Sequence, residues 1–457
     1  MGQLQSREDV ATTRAGIVLR SASARKDSLI NLSTRALIGA AVCLGASLCL
    51  VAQKPGTAAE HRFLVGSTHA HTQNTWSHGD QFEKNGCAGV QTYLGGRWSG
   101  QIKGSAGCAL MLVMDSVQYP GPGMKVRADW EEHQGPPKKH FELAKAAGYD
   151  FYVSTDHSQD VPFHPQDGGE NVAWEDTKRA AAASTDADFV ALAGFEYSEN
   201  DGPGGEGHIN IINTAGMVNA LKQGMDLPHM YRWLETAPSN SAGPVVASFN
   251  HPGLNQYNDW DYRTPGVTEK ITMLEVINGN NHLHYEGFVR ALDEGWKVSP
   301  VCGIDNHGTS AIARSTSRTV VLAKDKSKLS ILDAMKNRRT YATLDGGLHG
   351  SYRVNGAIMG STLDRPSHLK FDIAIDSTGT ADPKNKITKV DIVKDGGTVV
   401  QTYTPETPDY TVHWSPEVRD DSSKYFFVRV WNDGGKRPAS IDANAPVAWL
   451  APVWTGR

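Results

Sequence analysis

The chain has 457 residues, of which 39% are hydrophobic and 21% charged, a balance that excludes wholesale disorder and leaves room for two or three folded units. The formal net charge is −5, and taking away the net +3 of the first 52 residues leaves about −8 on the remainder. With that excess of acid and no basic stripe, a nucleic-acid backbone is excluded as a partner.

The amino-terminal segment carries Arg7, Arg14, Arg20, Arg25, Lys26 and Arg35 against Glu8, Asp9 and Asp27, and then an apolar run from Ala36 to Ala52. That run is short for a membrane span and rich in Gly, Ala and Ser, so it fits the apolar region of a secretory signal. Thr57-Ala58-Ala59 supplies small residues for cleavage. Residues 1–59 are therefore expected to form a basic leader and signal peptide, with export to the periplasm or beyond. The alternative is an uncleaved membrane anchor, the one route by which the chain would meet a membrane.

From residue 60 to 345 short apolar runs alternate with amphipathic stretches, the pattern of parallel strands covered by helices. Helices are predicted from Pro137 to Ala147 with Gly148 as the stop, from Leu283 to Glu294 with Gly295 as the stop, and from Lys328 to Asn337. Between about 80 and 130 the pattern lapses into Gly, Pro and polar residues, which predicts a long loop insertion, either a lid or a loop without catalytic role. Cys87 and Cys108 bracket part of it and would pair in an oxidising compartment, or stand as two free thiols otherwise. Cys302, in an apolar run, reads as a small buried hydrophobe.

After Gly346 the helical pattern gives way to strand-like runs, from Leu369 to Ile375, Val390 to Val393, Thr398 to Tyr403, Tyr425 to Trp431 and Val447 to Trp454. Asp395-Gly396-Gly397 is a turn between two of them. Residues 346–457 are expected to form a small antiparallel β-sandwich.

The chemistry lies where apolar runs end. Phe63 to Ser67 leads into His69-Ala70-His71, Phe151 to Ser154 into Thr155-Asp156-His157, and Phe189 to Ala193 into Gly194-Phe195-Glu196. Val245 to Phe249 leads into Asn250-His251, Met273-Leu274 into Glu275, Val298 to Gly303 into Asp305-Asn306-His307, and His208 opens the run Ile209 to Ile212. In a β/α barrel the carboxyl ends of the strands share one mouth, so these residues converge. Two histidines two residues apart on a strand share a face and suit a divalent ion. One such pair is a weak signal; seven positions at successive strand ends are a metal site.

This order, HxH, a further His or Asp, TDH, a Glu after a strand, two separated His and DxH, resembles the PHP superfamily of polymerase-associated and histidinol-phosphatase-type metallohydrolases. The resemblance runs from about Phe63 to Asp345. Within that superfamily Gly207-His208-Ile209-Asn210, Arg339-Thr340-Tyr341-Ala342-Thr343 and Val354-Asn355-Gly356 look like the carbaryl-hydrolase-like branch. It implies a distorted (β/α)7 barrel followed by the sandwich, with His69, His71, His78, His157, Glu196, His208, His251, Asp305 and His307 holding two or three divalent ions (Zn, Mn or Fe) and Glu196 bridging. His78 falls seven residues after His71 where the family spacing is five or six, and Asp80 is its rival.

The implied activity is metal-dependent hydrolysis by a metal-bridging hydroxide, on a small, anionic ester. A phosphoesterase comes first; a carbamate or amide hydrolase on the same scaffold and a non-catalytic, metal-dependent envelope-binding protein are the alternatives. An amidohydrolase-type barrel also opens with HxH, but the contexts of Thr155-Asp156-His157 and Glu196 favour the PHP reading. Asp156 is expected to orient a ligand or act as an acid, and Arg339, just beyond the last helix, to clamp the substrate anion. His282 and His284 are candidates for the mouth, and Tyr341 for packing.

Overall fold

Every position of β2 (Phe151–His157) and β3 (Val190–Ser198) is buried, as expected of strands covered on both faces. In the computed structural model, which describes residues 61–75, 134–160, 163, 171–198, 205–220, 222, 224–279, 282–379, 382–434, 441–442 and 444–457, they lie beside β1 (Arg62–Ser67) in a parallel arrangement. The leader, His78, Asp80, the insertion expected at 80–130 and the Cys87 and Cys108 pair lie outside the described residues.

The sheet continues through β4 (His208–Ile212), β5 (Val246–Asn250), β6 (Ile271–Asn278), the short β7 (His282–Leu283) and β8 (Ser299–Gly303). On the other side of β1 run β9 (Arg318–Ala323) and β10 (Thr340–Thr343), both antiparallel to their neighbours. β4 is antiparallel to both β3 and β5, so it begins at the edge where β3 and β5 end. That reversal is why His208 opens its strand while the other candidate ligands close theirs.

Alternate side chains of eight strands, Leu64, Val153, Leu192, Ile212, Val246, Met273, Val301 and Val321, meet in one apolar cluster. Each such burial contributes about 1.5 to 3 kcal/mol. For one face of eight strands to share a cluster the sheet must curl, and its segments after β1 and β8 do meet: Asp305 N donates to His69 O at 3.1 Å and His71 N to Asn306 O at 3.1 Å. Ile331, Leu332 and Met335 of a helix at Lys328–Lys336 belong to the same cluster.

On the outer face, α1 (Pro137–Ala146) sets Phe141 edge-on to Tyr152, and α2 (Val172–Ser184) sets Trp174 edge-on to Phe195. Asn171 caps α2 by accepting from Trp174 N, and Asp226 caps α3 (Leu227–Thr236) through His229 N, each satisfying a donor the helix start would leave open. α4 spans Tyr285–Asp293, two residues later than the sequence suggests, because Leu283 is taken by the β6 ladder opposite Ile277. α5 is the helix at Lys328–Lys336.

Beyond Thr343 follow β11 (His349–Val354), β12 (Ala357–Ile358), β13 (His368–Asp376), β14 (Ile387–Lys394), β15 (Thr398–Tyr403), β16 (Thr411–Trp414), β17 (Glu417–Arg419), β18 (Tyr425–Asn432), β19 (Ala448–Leu450) and β20 (Val453–Trp454). The run expected from Val447 to Trp454 is two strands, separated at Pro452, which has no N–H for a ladder. β14, β15, β18, β19 and β20 extend the large sheet through the β10 to β19 pairing, while the others form a five-stranded antiparallel sheet. Tyr352 joins the two sheets, its hydroxyl donating to Ala451 O at 2.6 Å and its ring stacking on Phe371. The fold is thus a mixed α/β one built on a large sheet with few helices, and the sheet crosses the boundary expected at 346. Cys302 is free and buried, and burial pushes its thiol well up, as befits a packing residue. No helix among the described residues is long and apolar enough to cross a membrane.

Candidate metal centre

The ends of β1, β2, β3, β5 and β8 and the start of β4 bring His69, His71, His157, Glu196, His208, His251, Asp305 and His307 to one place. Glu196 sits at the middle, fully buried. Its carboxylate lies 3.0 Å from His157 Nε2, 3.2 Å from His208 Nδ1, 3.3 Å from His69 Nε2 and 3.6 Å from both His71 Nε2 and His251 Nε2. Asp305 Oδ1 is 2.8 Å from His71 Nε2 and 3.4 Å from His69 Nε2. His307 stacks on His71 with ring centroids 4.2 Å apart.

The neighbours of the first two histidines fix their tautomers. His69 Nδ1 lies 2.8 Å from Glu275 Oε1 and donates to it. Thr75 Oγ1 donates to Asp156 Oδ1 at 2.9 Å, so it accepts the Nδ1 proton of His71 at 3.1 Å. In the neutral rings both Nε2 atoms then carry lone pairs, yet they face each other at 3.0 Å. Only a cation between them makes that arrangement favourable. Among the side chains alone the cation is a proton. Burial would pull His69 down, but the charges of Asp305, Glu275 and Glu196 outweigh it and hold His69 well above the usual imidazole range. Burial and the neighbouring His157 push His71 down to about 3.

A divalent ion fits the same place. Three sets of ligand atoms, from His71, His157 and His307, from His69, His71 and Glu196, and from His157, Glu196 and His208, each lie within 4.8 Å of one another. Burial disfavours charge on Glu196 and Asp305, yet the surrounding histidines hold both carboxyls well below the usual range, so both are anionic, as ligands must be.

The backbone is bent to this purpose. His251 and Asp305 have φ of 30° and 45°, a left-handed region that non-glycine residues adopt at a cost of order 1 kcal/mol or more. At Gly303 a Cβ would lie 1.9 Å from Glu275 Oε1 and 2.4 Å from His69 Cβ, so only glycine lets the Glu275 carboxylate reach His69.

Asp156 is buried and accepts from Thr72 N, Thr72 Oγ1 and Thr75 Oγ1. Burial raises its carboxyl to about 6 against these hydrogen bonds. Its contacts place it behind Thr72 and Thr75, whose hydroxyl holds His71 Nδ1, and it is not among the described residues lining the cavity. Arg339 requires a correction. Its carbonyl accepts from Leu322 N, level with Phe63, six residues before His69 and so roughly 20 Å away at about 3.3 Å per residue. Its guanidinium pairs with Asp333; β10, antiparallel to β9 and so running in the direction of β1, starts at the end away from the histidines. Tyr341 is buried and donates to Leu348 O, a packing role.

A cavity of about 470 Å³ opens on the cluster, lined by His157, His208, His251, Asp305 and His307 and by Gly253, Gln256, Asn278, His282 and His284. None of these described lining residues is Lys or Arg. The short hairpin from β6 to β7, with Asn278 opposite His282, is what carries the last two histidines there. Burial and the adjacent His251 push His284 down to about 4, and its Nδ1 donates to Pro252 O at 3.3 Å.

Sequence reasoning counted Glu275 among the strand-end positions without naming it a ligand, and gave no role to Asn250 or Asn278. Asn250 Nδ2 donates to Glu196 Oε1 at 2.8 Å, and Asn278 Nδ2 bridges Glu275 and Asp305 at 3.0 and 3.1 Å. Their signal was position: Asn250 and Asn278 close their strands and Glu275 lies three residues before the end of β6.

No family model matches the chain. It is 22% identical over 363 residues to an uncharacterised protein of Chlamydia pneumoniae; the match covers 73% of this chain, which spans 56% of that relative's length. Among solved structures it is similar to a two-domain protein of Bacteroides vulgatus containing a predicted PHP-like metal-dependent phosphoesterase, with 15% identity, 86% of this chain and 96% of that chain covered, and a TM-score of 0.41. It is also similar to PsfC of Pseudomonas syringae, with 12% identity, 44% and 78% covered, and a TM-score of 0.28.

Proposed function

We propose that this chain is a metal-dependent hydrolase whose first substrate class is phosphoesters. The observation that carries the reading is the facing pair of Nε2 atoms of His69 and His71, tautomer-fixed by Glu275 and by Thr75 with Asp156, against the carboxylates of Glu196 and Asp305. A single four-coordinate ion cannot use the eight described candidate ligands, whereas two or three sharing Glu196 can. Bound there, divalent ions supply an activated water as nucleophile and polarise the ester oxygen. The chain's own residues align the imidazoles and present the cavity in which an ester sits. No serine or cysteine nucleophile is needed.

An aryl carbamate or amide is the second reading on the same machinery, since the described lining of the cavity is made of histidines, amides, Gly253 and Asp305. Chelation should abolish hydrolysis and Zn, Mn or Fe restore it, with phosphomonoesters, phosphodiesters and aryl carbamates as the panel. Metal-loaded protein that cleaves none of them overturns the hydrolase reading in favour of metal-dependent binding. The basic leader and its apolar run support export, and a chain from its native envelope that still begins at Met1 would overturn cleavage.

A further inference from the structure

The geometry points to Tyr257 as a positioning residue of the metal centre: its hydroxyl ties together the backbones of β4 and β5 where they present His208 and His251. The inference rests on the metal-centre reading above and names a support for it that the ligand motifs do not contain.

His208 and Asn250 face each other across the β4 and β5 ladder. The Tyr257 hydroxyl lies between their carbonyls, 3.0 Å from His208 O and 2.8 Å from Asn250 O. His208 is a candidate ligand; Asn250 precedes His251 and donates to Glu196. One hydroxyl therefore touches the main chain behind two ligands and behind the donor that steadies the central carboxylate.

The ring is placed by an unusual piece of chain. Tyr257, Asn258, Asp259 and Trp260 have φ of 55°, 51°, 55° and 65°, a left-handed turn that L residues avoid. Burial of its aromatic side chains holds it: Tyr257 and Trp260 pack on Phe249 at centroid distances of 4.4 and 5.3 Å, Trp260 Nε1 donates to Leu254 O, and Trp296 Nε1 donates to Trp260 O. At Gly207 a Cβ would come within 2.5 Å of the Tyr257 ring, so the residue before His208 must be glycine for the ring to seat. A costly backbone, a glycine cleared for the ring and a hydroxyl aimed at two ligand-bearing strand ends belong together.

The test is Tyr257→Phe, which keeps the ring and removes the hydroxyl, compared with the wild-type chain by metal titration of chelator-stripped protein and by melting with and without metal. One metal-binding step should weaken by about 10- to 100-fold, the usual effect of removing a group that orients a ligand, while the tighter step or steps stay unchanged. The melting temperature of stripped protein should fall only slightly, and the stabilisation gained on adding metal should shrink. Unchanged metal affinities with an equal fall in melting temperature in both states would show a structural tyrosine and overturn the proposal. A wild-type chain that takes up no metal overturns both the proposal and the metal-centre reading.

Discussion

The two ends of the central strands neutralise their carboxylates in different ways. At the end where β2 begins, Asp150 pairs with Lys326, and farther along the sheet Asp391 lies 3.3 Å from Arg429 and 3.6 Å from Lys389. Those partners are permanent cations, and the pairs are complete. At the other end Glu196, Glu275 and Asp305 face imidazoles, which carry a charge only when protonated. A carboxylate matched to Lys or Arg is finished as structure; one matched to histidines can exchange protons for a metal ion.

The largest expected effect breaks the histidine end at its centre. Glu196→Ala should lower turnover by on the order of a thousandfold or more, the several kcal/mol that metal activation supplies, and lower the metal content measured on the same sample. Full metal content with near-normal turnover would refute the central place of Glu196. Asp156→Asn is next: with the Thr75 contact weakened, His71 loses its fixed tautomer, and metal affinity or turnover should drop by about 10- to 100-fold. Unchanged affinity would mean that the Thr75 hydroxyl orients His71 without Asp156.

Protons sharpen the comparison further. Burial pulls His251 down, but hydrogen bonding to Glu196 and the charges of Asp305, Glu196 and Glu275 lift it from 6.5 to about 9. In stripped protein the charged ring therefore contributes stability that is full below pH 6.5 and lost as pH rises through about 9. Metal binding displaces such protons, so titration calorimetry near neutral pH in two buffers of different ionisation enthalpy should show proton release, and metal affinity should rise with pH. Equal heats in the two buffers would contradict this.

The smallest effect belongs to the other end. Arg339→Ala should leave kcat/KM for an anionic phosphoester and a neutral ester within about twofold and cost at most about 1 kcal/mol in stability, as for a pair with an exposed partner. A selective loss on the anionic ester would return Arg339 to the site.

The strand ends were legible in the sequence because runs such as Phe151 to Ser154 stop at chemistry-bearing residues, and a ligand stripe needs no knowledge of pairing to be seen. What could not be read was direction. Arg339 lies away from the histidines because it precedes β10, which runs in the direction of β1; His208 was legible as opening its run, but the reversal of β4 that sets it beside the strand-end ligands is a property of long-range pairing. Asn250, Glu275 and Asn278 were visible as positions, but their roles are angular, since a donor that steadies a carboxylate looks like any polar residue until its partner is placed. The tail strands were read nearly to the residue where turns bound them, as at Thr398–Tyr403, while the continuity of β19 with β10 again required the pairing.

The most direct test of the account is elemental analysis of the purified wild-type chain. About two to three equivalents of zinc, manganese or iron are expected, since the described ligand set exceeds what one ion can use. A folded preparation that holds no metal, and takes none up on reloading, would contradict it.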